Sequence, residues 1–149
     1  MNITFNTEFS SYQKSRIAFW NRTARSGLKS FGKYYRSRLR IIYRHLVPEG
    51  TAILEIRCFN RDLLSALKPA EGVGVDFSHE AIETACTAHP ELDFVLADAH
   101  ELDLAPSAFD YIIVSELVND LWDVQTVLTR LHPYCAPHTR LIFNFYNHL

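Results

Sequence analysis

The sequence predicts an α/β protein built on an open, doubly wound, mostly parallel sheet, and three observations carry that prediction. Short apolar runs recur from Thr51 onward, separated by stretches with helical spacing of apolar residues. Strands that alternate with helices pair in parallel through right-handed crossovers. The chain has 149 residues, 48% hydrophobic and 13% aromatic, which is enough for one sizeable core and excludes a disordered chain.

The elements follow in order. From Phe9 to about Ala24, Tyr12, Ile17, Phe19 and Trp20 are mixed with basic residues, predicting a helix that covers the main body. Ser26-Gly27 and Gly32 mark breaks. Between Lys33 and Leu46, Tyr35, Leu39, Ile42, Tyr43 and Leu46 recur near helical spacing, with Arg36, Arg40 and Arg44 on the other side, so this helix packs by its apolar face and ends before Pro48-Glu49-Gly50. Thr51–Ile56 is the first strand, Asp62–Leu67 a helix, and Gly72–Asp76 the second strand. Ser78 is placed to cap a helix from His79 to about Ala88. Leu92–Leu96 and Tyr111–Ser115 are the third and fourth strands. A helix over Leu121–Leu131 places Leu121, Val124, Leu128 and Leu131 on one face, and Leu141–Phe145 is the fifth strand. The expected organisation is a helical extension over residues 1–32 and a sheet domain over residues 33–149.

Charge is distributed unevenly. Residues 1–46 carry ten basic side chains against the single acid Glu8, a net +9, while the remainder carries −11. Such an arm binds an anionic partner or docks on the acidic body of its own domain; no nucleic-acid motif accompanies it, so docking is expected and nucleic acid is not. No apolar run approaches the length of a membrane span and no secretory leader opens the chain, which predicts a soluble cytoplasmic protein. Cys58, Cys86 and Cys135 are odd in number and widely spaced, giving no metal or disulfide framework.

Four segments carry a resemblance. Ala52-Ile53-Leu54-Glu55-Ile56 running into Arg57-Cys58-Phe59-Asn60-Arg61 resembles the first motif of class I S-adenosylmethionine-dependent methyltransferases, a strand ending in an acid before a glycine-spaced loop. Gly72-Val73-Gly74-Val75-Asp76-Phe77-Ser78 is similar to the second motif, whose acid holds the ribose hydroxyls; Asp76 matches it. Phe94-Val95-Leu96-Ala97-Asp98-Ala99 is similar to the third, with Asp98 at the acid facing the adenine amino group, and Phe109–Ser115 resembles the fourth. The resemblance implies a Rossmann-like fold over about residues 33–147. It also implies S-adenosylmethionine as cofactor and a site formed by Glu55, Arg57, Cys58, Phe59, Asp76, Phe77, Asp98, Ala99 and Ser115. All the candidate acids fall at or near strand ends, where ligands of open parallel sheets bind; strand-end acids also cap the helices that follow.

The departures from the family pattern are as informative. Arg57, Phe59 and Arg61 stand where the family has glycines, which supply positive φ and let the cofactor lie on bare backbone. Their bulk is expected to impair cofactor binding. Arg57 and Arg61 either pair with Glu55, Asp76 or Asp98 or join a helix N-terminus around an anion. His100 is expected at the surface, a Ser-His-Asp reading of Ser115, His100 and Asp120 rests on composition alone, and no general base is nominated. The family sheet continues past its fifth strand with two more, so Leu141–Phe145 is expected as an apolar edge that takes a second copy or a longer-chain partner. Family catalysis is in-line methyl transfer from a sulfonium, and similar domains in surface-glycan biosynthesis imply a small-molecule acceptor such as a sugar or glycan precursor. Two functions follow: a methyltransferase-type domain with impaired cofactor binding, or a non-catalytic binding or assembly module on the same scaffold.

Overall fold

A computed structural model describes residues 3–26, 30–58 and 62–144. The order is α1 (Ile3–Ser26), α2 (Ser30–Leu46), β1 (Ala52–Ile56), α3 (Asp62–Ala66), β2 (Glu71–Asp76), α4 (His79–Ala88), β3 (Asp93–Leu96), β4 (Phe109–Ser115), α5 (Val124–Leu131) and β5 (Cys135–Asn144). Short 3₁₀ turns occupy Ala99–Glu101, Val118–Asp120 and His132–Tyr134. The five strands form one sheet in the order β3-β2-β1-β4-β5, every pair parallel, with β1 at the centre. The expected Rossmann-like architecture is therefore present, and helices precede it.

Alternation along the strands divides the core between two faces. Leu54 and Ile56 of β1 and Ile112 and Val114 of β4 meet Val127 and Leu131 of α5 on one side. Ile53, Tyr111 and Ile113 meet Tyr43, Val47, Leu63, Leu64 and Leu67 on the other. Both faces are apolar because both are covered.

Several sequence expectations are corrected. Gly32 lies inside α2 and does not end a helix. In α2 the inward residues are Leu39 and Tyr43, followed by Val47, while Ile42 and Leu46 are about half exposed, because the helix is rotated to seat Tyr43 on the sheet. Tyr43 Oη then donates to Asn144 Oδ1 at 2.9 Å. Arg36 does not face solvent but reaches Glu116, 4.0 Å away. Helix α5 starts at Val124, since Asp123 Oδ1 accepts from the amides of Gln125 at 2.9 Å and Thr126 at 3.3 Å and fixes the N-cap there. Its buried stripe is Val127 and Leu131, leaving Val124 and Leu128 exposed. β5 is longer than expected, begins at Cys135 and includes Pro137, with a register irregularity opposite Phe109 and Tyr111. Phe145 lies outside the described residues.

Gly74 shows how tightly the centre is packed. A Cβ there would lie 2.7 Å from the Phe94 ring and 3.0 Å from Cys58 Cβ. Gly74→Ala is expected to cost about 1–3 kcal/mol by overpacking. A urea midpoint unchanged from the parent would show that Phe94 swings aside freely.

Candidate functional site

The connections from β1 and β4 run in opposite directions across the sheet, and the crevice where a ligand of such a sheet sits opens at their carboxyl ends. Two non-glycine residues flank it in left-handed conformation, Arg57 after β1 with φ 67° and Glu116 after β4 with φ 51°. The turn thus keeps the backbone a glycine would take without strain, although an arginine occupies it. The Arg57 amide donates to the Val75 carbonyl at 2.7 Å and the Cys58 amide to the same oxygen at 3.0 Å, so the turn is bonded into β2.

The Arg57 side chain is only 6% exposed. Its Nη1 donates to the Glu116 carbonyl oxygen and lies 3.2 Å from Asp120 Oδ2, and its guanidinium carbon sits 3.8 Å from the centre of the Trp20 ring. Burial lowers the pKa of this guanidinium, and Asp120 is the strongest opposing influence. The expected pairing of Arg57 with Glu55, Asp76 or Asp98 does not form. The arginine crosses the crevice instead to Asp120 and to the Glu116 carbonyl at the end of β4. Phe59 and Arg61 lie outside the described residues.

The acids are held in three ways. Glu55 is fully buried and its Oε1 accepts from Ser115 Oγ at 3.1 Å. Burial raises its pKa to about 8, against the opposing hydrogen bond from Ser115. Asp76, 3% exposed, accepts from the Ser78 amide at 2.8 Å, while Ser78 caps α4. Asp98 Oδ1 accepts from the His100 amide at 2.9 Å and faces His100 Nδ1 at 2.7 Å. Burial works to raise the Asp98 pKa, but the His100 ring and amide, with Gln13, outweigh it and hold the carboxyl below its ordinary value. His100 is buried, contrary to the surface position expected: the Asp123 amide donates to its Nε2 at 3.2 Å, which leaves the proton on Nδ1 toward Asp98.

Helix α1 lies over this end of the sheet. Gln13 Nε2 donates to Asp98 Oδ2 at 3.1 Å, Arg16 pairs with Asp120, and Ser78 Oγ donates to Asn21 Oδ1 at 2.6 Å. Phe9 meets the His100 ring edge-on at 5.2 Å between centroids, and Tyr12 meets Trp122 at 5.2 Å. The cavity left between α1 and Phe77, Asp98, Ala99 and Leu117 is about 20 Å³, room for a water molecule. The strand-end acids suit S-adenosylmethionine, and Arg57 and side chains of α1 reach into the crevice beside them.

Of the residues assigned to the site from the sequence, Ser115 bonds to Glu55, while Phe77, Asp98 and Ala99 line one cavity at the far end of the crevice. Cys58 is a buried thiol whose pKa burial pushes well up, fit for packing rather than nucleophilic work. Ser115, His100 and Asp120 engage Glu55, Asp98 and the two arginines respectively, so no triad forms. Gln13, Arg16 and Glu116 escaped sequence reasoning, and Asp120 entered it only as a member of the triad that does not form; the signal available was the aromatic and basic mixture of α1 and the excess of acid in the body.

Comparison with known proteins agrees with this geometry. A methyltransferase domain model matches residues 58–143. Two Mycobacterium tuberculosis proteins, each described as a probable S-adenosylmethionine-dependent methyltransferase, are 25% identical over 95 residues, covering 60% of this chain and 34% of theirs. The chain therefore spans about a third of the length of these curated relatives. Among solved structures, the N-methyltransferase NodS of Bradyrhizobium japonicum superposes with a TM-score of 0.61 at 21% identity, covering 77% of this chain and 68% of that one. A TehB-like methyltransferase of Corynebacterium glutamicum gives 0.62 at 18% identity, covering 90% and 72%. At these identities the structures speak for the fold. The family model, matched over more than half of the sequence, and the motif acids at the strand ends lead to one conclusion: the chain belongs to the class I S-adenosylmethionine-dependent methyltransferase family.

Proposed function

We propose that this chain is a methyltransferase-type domain whose binding of S-adenosylmethionine is impaired. One observation carries the reading: the left-handed turn after β1 holds a buried arginine that spans the crevice to Asp120 and the Glu116 carbonyl. In this reading Asp76 serves the ribose and Asp98 the adenine, beside Glu55, Cys58, Phe77, Ala99 and Ser115, and Arg57 obstructs what a glycine would leave open. A small molecule, such as a sugar or glycan precursor, is the acceptor for which the scaffold is suited. Calorimetric titration with S-adenosylmethionine and S-adenosylhomocysteine tests this directly. Weak or absent binding is expected, and micromolar binding by the unaltered chain overturns the impaired-site reading.

A second reading, an assembly module, has its own observation. β5 is an edge strand, and Leu141 is 42% and Phe143 36% exposed on it. An open apolar edge pairs with other strands, so the chain is expected to associate with a second copy through β5. Pro137 blunts only the first half of the strand. A clean monomer by light scattering at high protein concentration removes this reading. Among the described residues no helix is long and apolar enough to cross a membrane.

A further inference from the structure

We infer that α1 and the cofactor compete for one seat, so that α1 is an autoinhibitory strap and not a lid that closes over bound ligand. The inference rests on the reading of the crevice as a cofactor site. It concerns a different obstruction from the substituted glycines.

The contacts are of the kind a ligand would make. Gln13 presents an amide N–H to Asp98 Oδ2 at 3.1 Å, as an exocyclic amino group would, and Asn21 takes the hydroxyl proton of Ser78, two residues beyond Asp76. Trp20 lies flat enough on the Arg57 guanidinium for a 3.8 Å approach to the ring centre, and Arg16 shares Asp120 with Arg57. These four side chains stand at positions 13, 16, 20 and 21, an i, i+3, i+7, i+8 spacing, so one face of one helix reaches both ends of the crevice. Apart from them, α1 packs on α4 and through Phe9 and Tyr12 on His100 and Trp122, contacts at the rim of the seat. The cavity left between α1 and Asp98 is about 20 Å³, so the helix in its docked position and a nucleobase at this carboxylate exclude each other. Here α1 takes the carboxylate oxygen that an exocyclic amino group would take, so the helix and the ligand draw on the same acceptor.

Competition has a quantitative consequence. A ligand that binds only when α1 is undocked has its affinity reduced by the fraction of molecules in which α1 is docked. The test uses the full chain carrying Arg57→Gly, Phe59→Gly and Arg61→Gly, with and without Gln13→Ala and Asn21→Ala, titrated with S-adenosylhomocysteine and digested with trypsin, which cuts at Lys14, Arg16 and Arg22 of α1. The two α1 substitutions are expected to tighten binding by about tenfold or more, and the ligand is expected to speed cleavage within α1. Equal affinity with and without them, together with ligand-induced protection of α1, makes the helix a lid and overturns the strap while leaving the cofactor reading intact. No binding by either folded protein overturns both. Should the glycine background fail to fold, the α1 substitutions in the unaltered chain carry the test. There, faster tryptic cleavage and newly measurable ligand binding support the strap, and unchanged cleavage with no binding overturns it.

Discussion

Replacing Arg57, Phe59 and Arg61 with glycine is expected to bring S-adenosylmethionine binding into the micromolar range from a parent that binds weakly or not at all. At position 57 the backbone already has φ 67°, so glycine needs no rearrangement of the turn and relieves about 1–2 kcal/mol of left-handed strain. Against this, removing the guanidinium leaves Asp120 with Arg16 as its remaining charge partner and takes away the stack on Trp20. Glycine also widens the unfolded ensemble. A half-buried carboxylate that loses one of two charge partners, together with the lost packing of the guanidinium on Trp20, weighs more than the relieved strain, so the ligand-free protein should be less stable by about 1–3 kcal/mol. Affinity and stability are thus expected to move in opposite directions. Calorimetry and urea unfolding on the same preparations check both, and a folded triple variant that does not bind would locate the obstruction elsewhere.

The parts of the fold that were legible in the sequence are those fixed by period. β1, β2 and β4 are buried on both faces and read as short apolar runs, and Ser78 caps α4 where its position before the apolar run placed it. Boundaries set by side-chain caps were less visible: Leu121 continues the apolar spacing of α5, but Asp123 takes the N-cap and a 3₁₀ turn precedes it. The rotation of α2 was hidden because Ile42 and Tyr43 are both apolar, and only the bond from Tyr43 to Asn144, more than a hundred residues away, decides which one faces the sheet. The site shows the same division. Its acids stand at strand ends, which a local pattern marks. The direction of Arg57 depends on Glu116 and Asp120, contributed by the far side of the crevice, and the role of α1 depends on Gln13 meeting Asp98 across the whole domain. Long-range polar pairing leaves no period in a sequence.

Glu55 provides the second large effect, and it is one of pH. Its carboxyl is fully buried between β1 and the Ser115 hydroxyl, its pKa raised to about 8 first by burial and further by Asp76, with Ser115, the Leu64 amide and Arg36 pulling the other way. An acid whose pKa is higher in the folded than in the unfolded chain binds its proton more tightly when folded. Its contribution is therefore complete below the ordinary carboxylate range, falls as pH rises from about 4.5 to about 8, and is spent above that. The slope is at most about 1.4 kcal/mol per pH unit. Asp98, held low by His100 and Gln13, acts in the opposite sense, and its contribution disappears only as the solution becomes strongly acid. Glu55→Gln keeps an oxygen for Ser115 and removes the charge. The variant should match the parent near pH 4.5, exceed it by about 2 kcal/mol or more at pH 8, and show no further gain above that. Urea unfolding of both proteins across this range gives the difference curve. A difference that stays flat with pH would mean that the buried carboxyl ionises as readily in the folded chain as in the unfolded one, through water that reaches the end of β1.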